Sequence, residues 1–170
     1  MPDAIKVTQL EASDIRPIMS AFVRPEWHTS KPYLNALLEG QQKGELDCLL
    51  ARYEGNIAGI LHVKWVSPYP PFAEKGIPEI KDLWVLSALR RRGIATALID
   101  EAERRIFLRS AVAGIGVGLY ADYGPAQRLY IKRGYNFDGR GLTYKNQPIK
   151  PGGNVLADDE LVIFLTKERP

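Results

Sequence analysis

The densest run of residues able to do chemistry is Arg90-Arg91-Arg92-Gly93-Ile94-Ala95-Thr96. It follows a strand-like stretch, Ile80 to Leu86, and opens a helix whose apolar positions Ile94, Leu98, Ala102 and Ile106 recur every four residues. The first turn of a helix carries unpaired backbone N–H groups and the positive end of the macrodipole, so this junction reads as an anion site. Gly93 and Ala95 let a phosphate approach the backbone, Thr96 adds a hydroxyl donor, and the arginines add fixed charge with bidentate geometry. A pyrophosphate fits such a nest. The bland alternative is a solvated basic turn, and the Gly93 and Ala95 spacing weighs against it.

Other chemistries fail on spacing. A P-loop needs a Gly-Lys pair, which the chain lacks. A dinucleotide fingerprint must open a helix, whereas Gly114, Gly116 and Gly118 alternate inside a strand-like run. His28 and His62 have no acidic partner at metal spacing, so neither a metal site nor a catalytic triad is expected. The single cysteine, Cys48, excludes an intramolecular disulfide, and among Leu46, Leu49, Leu50 and Ala51 it reads as a small buried hydrophobe.

These residues need elements to hold them. Ile5 to Leu10 alternates as a first strand, Ala12-Ser13-Asp14 caps a helix over Ile15 to Phe22, and Thr29 or Ser30 caps a second from about Pro32 to Lys43. In the second helix Tyr33, Leu34, Leu37 and Leu38 give the helical spacing. Cys48 to Tyr53 and Ile57 to Trp65 form a hairpin across Glu54-Gly55-Asn56. Residues 67 to 78 contain Pro68, Pro70, Pro71 and Pro78, which cannot donate to a ladder, and read as a loop. With Tyr69 and Phe72 on it, that loop is a candidate lid. Strand Ile80 to Leu86, helix Gly93 to Leu108, strand Ala113 to Tyr120, helix Pro125 to Lys132 and strand Tyr135 to Asp138 follow. A polar Gly-rich loop at 139 to 154 then precedes a last strand, Glu160 to Thr166. The hairpin demands antiparallel pairing and the later alternation a parallel crossover, so the expected fold class is α/β, a mixed central β-sheet with helices on both faces.

At 170 residues, 45% hydrophobic and 25% charged, the chain is expected to form one globular domain, residues 1–170, with no repeat and no flexible linker. No apolar run approaches the roughly 20 residues of a membrane helix, and MPDAIKVTQLEASD lacks the features of a signal peptide, so the expected location is cytoplasmic. A net charge of +3 is too small to announce nucleic acid. Neither nucleic acid nor membrane is an expected partner.

Arg90-x-x-Gly93-x-Ala95, after a strand containing Leu83-Trp84-Val85, resembles the Q/R-x-x-G-x-G/A pyrophosphate motif of the GNAT superfamily of N-acetyltransferases. A second block, Tyr123-Gly124-Pro125-Ala126-Gln127-Arg128-Leu129-Tyr130-Ile131-Lys132-Arg133-Gly134-Tyr135, resembles the family's N-x-x-A-x-x-L-Y-x-x-x-G-F segment. The resemblance is good over residues 47 to 138 and elsewhere rests on the order of elements. It implies acetyl-CoA as co-substrate, no metal, and an acetyl group moved directly to a primary amine of a small molecule or of a protein N-terminus or lysine. The cofactor-binding residues it implies are Trp84, Val85, Arg90, Arg91, Arg92, Gly93, Ile94, Ala95, Thr96 and Tyr123, the last standing where the family usually has Asn. Tyr130 matches the general acid that protonates the departing thiolate.

An amine is mostly ammonium at neutral pH, so a carboxylate must take a proton before attack. The resemblance points to Glu79, at the start of the strand before Gly93, with Asp82 as the fallback. With period 2, Glu79 and Val85 share a face unless a bulge intervenes. Trp65, Tyr69 and Phe72 could line an acceptor pocket or anchor their loop, and Asp158, Asp159 and Glu160 could form an acidic rim or a solvated turn. Oligomeric state is not legible, and a homodimer stays open. A non-catalytic CoA-binding sensor is the main rival reading. An RNA-binding protein using Arg90 to Arg92, Lys132 and Arg133 is a second, opposed by the low net charge and the lack of an aromatic stacking motif.

Overall fold

The computed structural model describes residues 5–23 and 29–170. His28 lies outside the described residues. In chain order the elements are β1 (Ile5–Gln9), a 3-10 turn (Ala12–Asp14), α1 (Ile15–Ala21), α2 (Lys31–Gln42), β2 (Leu46–Tyr53), β3 (Asn56–Lys64), α3 (Pro70–Lys75) and β4 (Glu79–Val85). They continue with α4 (Ile94–Phe107), β5 (Val112–Gly118), α5 (Gly124–Lys132), β6 (Asn136–Tyr144), β7 (Gln147–Pro148) and β8 (Leu161–Glu168). No helix among the described residues is long and apolar enough to cross a membrane.

The chain divides into two compact units. The first comprises Met1–Trp65 and Ile80–Arg105. Its strands run in the order β1-β2-β3-β4, with β1 antiparallel to β2 and β2 antiparallel to β3. The hairpin sets Leu49 opposite Leu61 and Leu50 opposite Ile60, all buried. α1 and α2 lay Ile18, Phe22, Leu34 and Leu37 on a core shared with Cys48, Leu50 and Ile60. Ser30, not Thr29, caps α2: its hydroxyl accepts the Tyr33 N–H at 3.4 Å, whereas the Thr29 hydroxyl donates to the Phe22 carbonyl at 3.0 Å. Cys48 is fully buried as expected, and burial pushes its thiol up to about 12. A thiol so shifted is inert at neutral pH.

The second unit comprises Val66–Glu79 and Ile106–Pro170. Its strands run β5-β8-β6-β7, with β8 antiparallel to both β5 and β6. Two expectations need correction here. The segment read as a Gly-rich loop from residue 139 is in part strand, because β6 runs on to Tyr144 and pairs with the short β7. A register shift between Phe137 and Leu142 absorbs the intervening glycines. The proline-rich segment, read as a loop and candidate lid, instead contains α3. Pro70 and Pro71 occupy its first positions, where no backbone donor is needed.

Tyr69 and Phe72 are each 2% exposed and so are anchors rather than parts of a mobile cover. The Tyr69 ring stacks on Phe164 at 3.7 Å between centroids, and Phe72 meets both rings edge-on. The Tyr69 hydroxyl donates to Asp138 at 2.9 Å.

Candidate active site

The loop read as an anion site, Arg90 to Thr96, lies in the first unit. Arg90, Arg91, Arg92 and Gly93 are exposed, and Ile94 is buried beneath them. Arg91 (φ 60) and Gly93 (φ 84) are both left-handed with Arg92 between, which turns the backbone sharply into α4. The Gly93 carbonyl accepts the Ala97 N–H at 2.9 Å, so Gly93 is the residue before the first helical turn. The amides of Ile94, Ala95 and Thr96 belong to that turn and have no partner within the helix. Among the described residues a Cβ at Gly93 would meet only Ile5 Cδ1, at 3.7 Å, which leaves open space at that point. Arg92 is held to β2, its Nη1 donating to the Tyr53 hydroxyl at 3.1 Å with the guanidinium 5.3 Å from that ring's centroid.

β4 feeds this loop, with Trp84 and Val85 half-buried near its end. Within it Asp82 is left-handed, with φ 49. The strand's pleat is therefore interrupted between Glu79 and Val85, and the same-face relation expected for an unbroken strand does not hold. Both Glu79 and Ile80 are buried, which an alternating strand would not do on one core face.

Asp82 presents its carboxylate on the surface of the first unit. The Tyr33 hydroxyl donates to its Oδ2 at 2.7 Å, and His62 Nε2 lies 3.7 Å from the same oxygen. His62 is only 3% exposed, and burial pushes it down to about 4 despite Asp82. At neutral pH the imidazole is uncharged. Burial, then Asp82, pushes the Tyr33 phenol well above its ordinary value. The Tyr33 and Trp84 rings stand 6.3 Å apart at 35°.

The second unit holds the remaining expected residues. Glu79 is 2% exposed, and the Ser67 hydroxyl donates to its Oε2 at 2.5 Å while accepting the Tyr69 N–H at 3.0 Å. Tyr130, on α5, is 5% exposed and lies 6.2 Å from Tyr135, ring to ring. Burial alone raises its phenol well above the usual value, which keeps the hydroxyl in the proton-donating state. Tyr123 sits just before α5. Its hydroxyl donates to Asp159 Oδ1 at 2.6 Å, the Tyr120 hydroxyl donates to the same oxygen, and the two rings meet edge-on at 4.9 Å. Asp158 accepts from the Tyr144 hydroxyl at 3.0 Å. Two of the three acidic residues considered for a rim are therefore tied by tyrosines.

Sequence reading missed Tyr33, His62 and Ser67 as partners of the β4 carboxylates. Tyr33 and Asp82 are 49 positions apart, and no local pattern joins a helix residue to a strand residue at that distance. Among the described residues no three His, Cys, Asp or Glu side chains group as a metal site.

The model of the acetyltransferase (GNAT) family matches residues 12–135. The chain belongs to the GNAT acetyltransferase family. Its α/β fold, with eight strands and five helices among the described residues, is the one expected. Solved GNAT structures resemble it along nearly their whole length. A Salmonella typhimurium acetyltransferase that modifies the N-terminal serine of a ribosomal subunit protein matches with a TM-score of 0.73 at 11% identity, over 99% of this chain and 96% of that one. A Vibrio cholerae spermidine N-acetyltransferase chimera matches with a TM-score of 0.68 at 14% identity, over 98% and 96%. An N-acetyltransferase from Thermoplasma acidophilum in complex with coenzyme A matches with a TM-score of 0.65 at 14% identity, over 97% and 99%. No curated protein matches by sequence. At these identities the structural likeness establishes the GNAT fold and leaves the roles of individual side chains to their own geometry.

Proposed function

We propose that this GNAT chain is an acetyl-CoA-dependent N-acetyltransferase acting on a primary amine. The observation that carries the reading is the loop from Arg90 to Thr96, where three exposed arginines, two left-handed residues at Arg91 and Gly93, and the first amides of α4 follow one another directly, with open space at Gly93. That arrangement suits a pyrophosphate, and the coenzyme A bound to a GNAT neighbour supports the same ligand here. The backbone of Trp84 and Val85 would flank the pantetheine, and Tyr123 is the residue that stands in place of the family's usual Asn. Acetyl-CoA supplies the activated acyl group. The amine forms the new C–N bond as the C–S bond breaks, one proton leaves the amine for Glu79, and Tyr130 gives one to the departing sulfur. Because Glu79 is buried, the proton reaches it through water, and Ser67 fixes its orientation.

Calorimetry with acetyl-CoA at two salt concentrations, followed by thiol release with a panel of amines, tests the reading. Binding that weakens with salt, plus thiol release with at least one amine, is expected. Binding without thiol release would make the chain a CoA sensor, and no binding would overturn both. Tyr130→Phe is expected to lower kcat about 100-fold and leave acetyl-CoA affinity unchanged. An unaltered kcat removes Tyr130 as the acid. Glu79→Gln is expected to lose activity at neutral pH and regain part of it at high pH, where free amine is abundant.

A further inference from the structure

The carboxylate of Asp82 has two partners among the described residues, and both fall on Oδ2: the Tyr33 hydroxyl at 2.7 Å and His62 Nε2 at 3.7 Å. Both are neutral at pH 7, the imidazole because burial holds it near 4 and Lys64 and Lys81 oppose its protonation, the phenol because burial and Asp82 raise it. The negative charge of Asp82 is therefore held in place by partners that do not themselves neutralise it. Its Oδ1 takes no hydrogen bond from the described residues. The side chain is 39% exposed, far enough out to meet a ligand and near enough to protein to be incompletely screened. Tyr33, whose hydroxyl holds the carboxylate, and Trp84, whose ring stands 6.3 Å from that of Tyr33, are half-buried and pack against the core of the first unit. A carboxylate held in place beside a pair of neighbouring aromatic rings is the chemistry that recognises an organic ammonium, through charge, hydrogen bonding and cation–π attraction together.

We infer that Asp82, Tyr33 and Trp84 form the docking site for the cationic amine of the acceptor, with His62 as a neutral positioning residue behind Asp82. The inference rests on the acetyl-transfer reading only in taking that ammonium to be the acceptor's. It separates the work of the two β4 carboxylates: Asp82 holds the ammonium and Glu79 receives the proton. Asp82 also has the backbone such a role needs, because its left-handed φ of 49 carries its side chain out of the strand's regular alternation.

The test compares butylammonium with its neutral isostere butanol, following amide and indole N–H shifts by NMR, with and without CoA. The unsubstituted protein is expected to bind butylammonium saturably and at least ~10-fold more tightly than butanol, with the Trp84 indole among the signals that move. Asp82→Asn should abolish that preference while CoA affinity stays the same. Asparagine tolerates a left-handed φ, so the strand is preserved, and an unchanged melting temperature checks it. Trp84→Leu should weaken butylammonium about 3-fold or more. With an acceptor found by thiol release, Asp82→Asn should raise KM about 10-fold and lower kcat by less. The inference is overturned if butylammonium does not bind up to ~100 mM, if Asp82→Asn keeps the preference, or if kcat falls at constant KM. That last result would make Asp82 the base. Failure of CoA to bind would instead remove the acetyl-transfer reading and leave the ammonium titration readable without it.

Discussion

Tyr123 and Gly118 account for each other. A Cβ on Gly118 would lie 2.3 Å from the Tyr123 ring, so the absence of a side chain on β5 is what lets the aromatic lie flat on the strand and reach Asp159. Gly118→Ala is therefore expected to cost about 2 kcal/mol through overpacking, and the same change in a Tyr123→Ala background less than about 0.5 kcal/mol. Urea denaturation of the four proteins in that cycle measures the coupling, and simple additivity would contradict it. The other glycine that matters is Gly93, where the constraint is conformational: φ is 84 but the space is open. Gly93→Ala should cost about 1 kcal/mol and weaken CoA binding, and Gly93→Asn should retain more of both because asparagine visits left-handed backbone more readily. Equal losses in the two variants, by calorimetry and denaturation, would mean that the φ requirement is not what selects glycine there.

α3 shows how an element differs from its sequence signature. Four prolines near each other argued against a strand and suggested an open cover, yet two of them begin a helix and its aromatics sink against Phe164. Phe72→Ala is expected to destabilise the protein by about 4 kcal/mol, the cost of emptying a packed aromatic site, and a loss under about 1 kcal/mol would restore the case for a mobile segment. The same contrast explains what was legible. Periodicity and punctuation are local, so α2, the β2–β3 hairpin, α4 and α5 are readable to within a few residues, and so is the glycine turn that enters α4, whose residues are consecutive. The left-handed Asp82, the Tyr33 hydroxyl upon it and the Ser67 bond to Glu79 depend on elements meeting, and no local spacing encodes that. Gly139 and Gly141 read as loop residues and end the expected strand at Asp138, whereas the paired strand carries them across a shift in register.

For the chain as a whole, two groups of the first unit whose shifts fall in the acid range, His62 and Glu101, predict the acid limb of stability. His62 titrates at 6.5 when unfolded and at about 4 when folded, chiefly because burial disfavours its charge. Between those values the unfolded chain binds the extra proton, so stability rises with pH through that window and is complete above it. The shift corresponds to about 3 kcal/mol at most. Glu101 acts lower down. Hydrogen bonds from Arg104 foremost, and from Arg105, pull its carboxyl from 4.5 down to about 2, so its contribution is present above 4.5 and disappears as pH falls toward 2. Because Arg104 is 60% exposed, solvent and salt screen this second contribution, whereas the burial of His62 is indifferent to salt. Melting temperatures between pH 3 and 8 should therefore fall in two stages on acidification. His62→Gln should flatten the upper stage alone, and Glu101→Gln the lower stage alone. Added salt should weaken only the lower one. An upper stage that survives His62→Gln would locate the acid sensitivity in another group and would remove the reason for treating the imidazole beside Asp82 as neutral at pH 7.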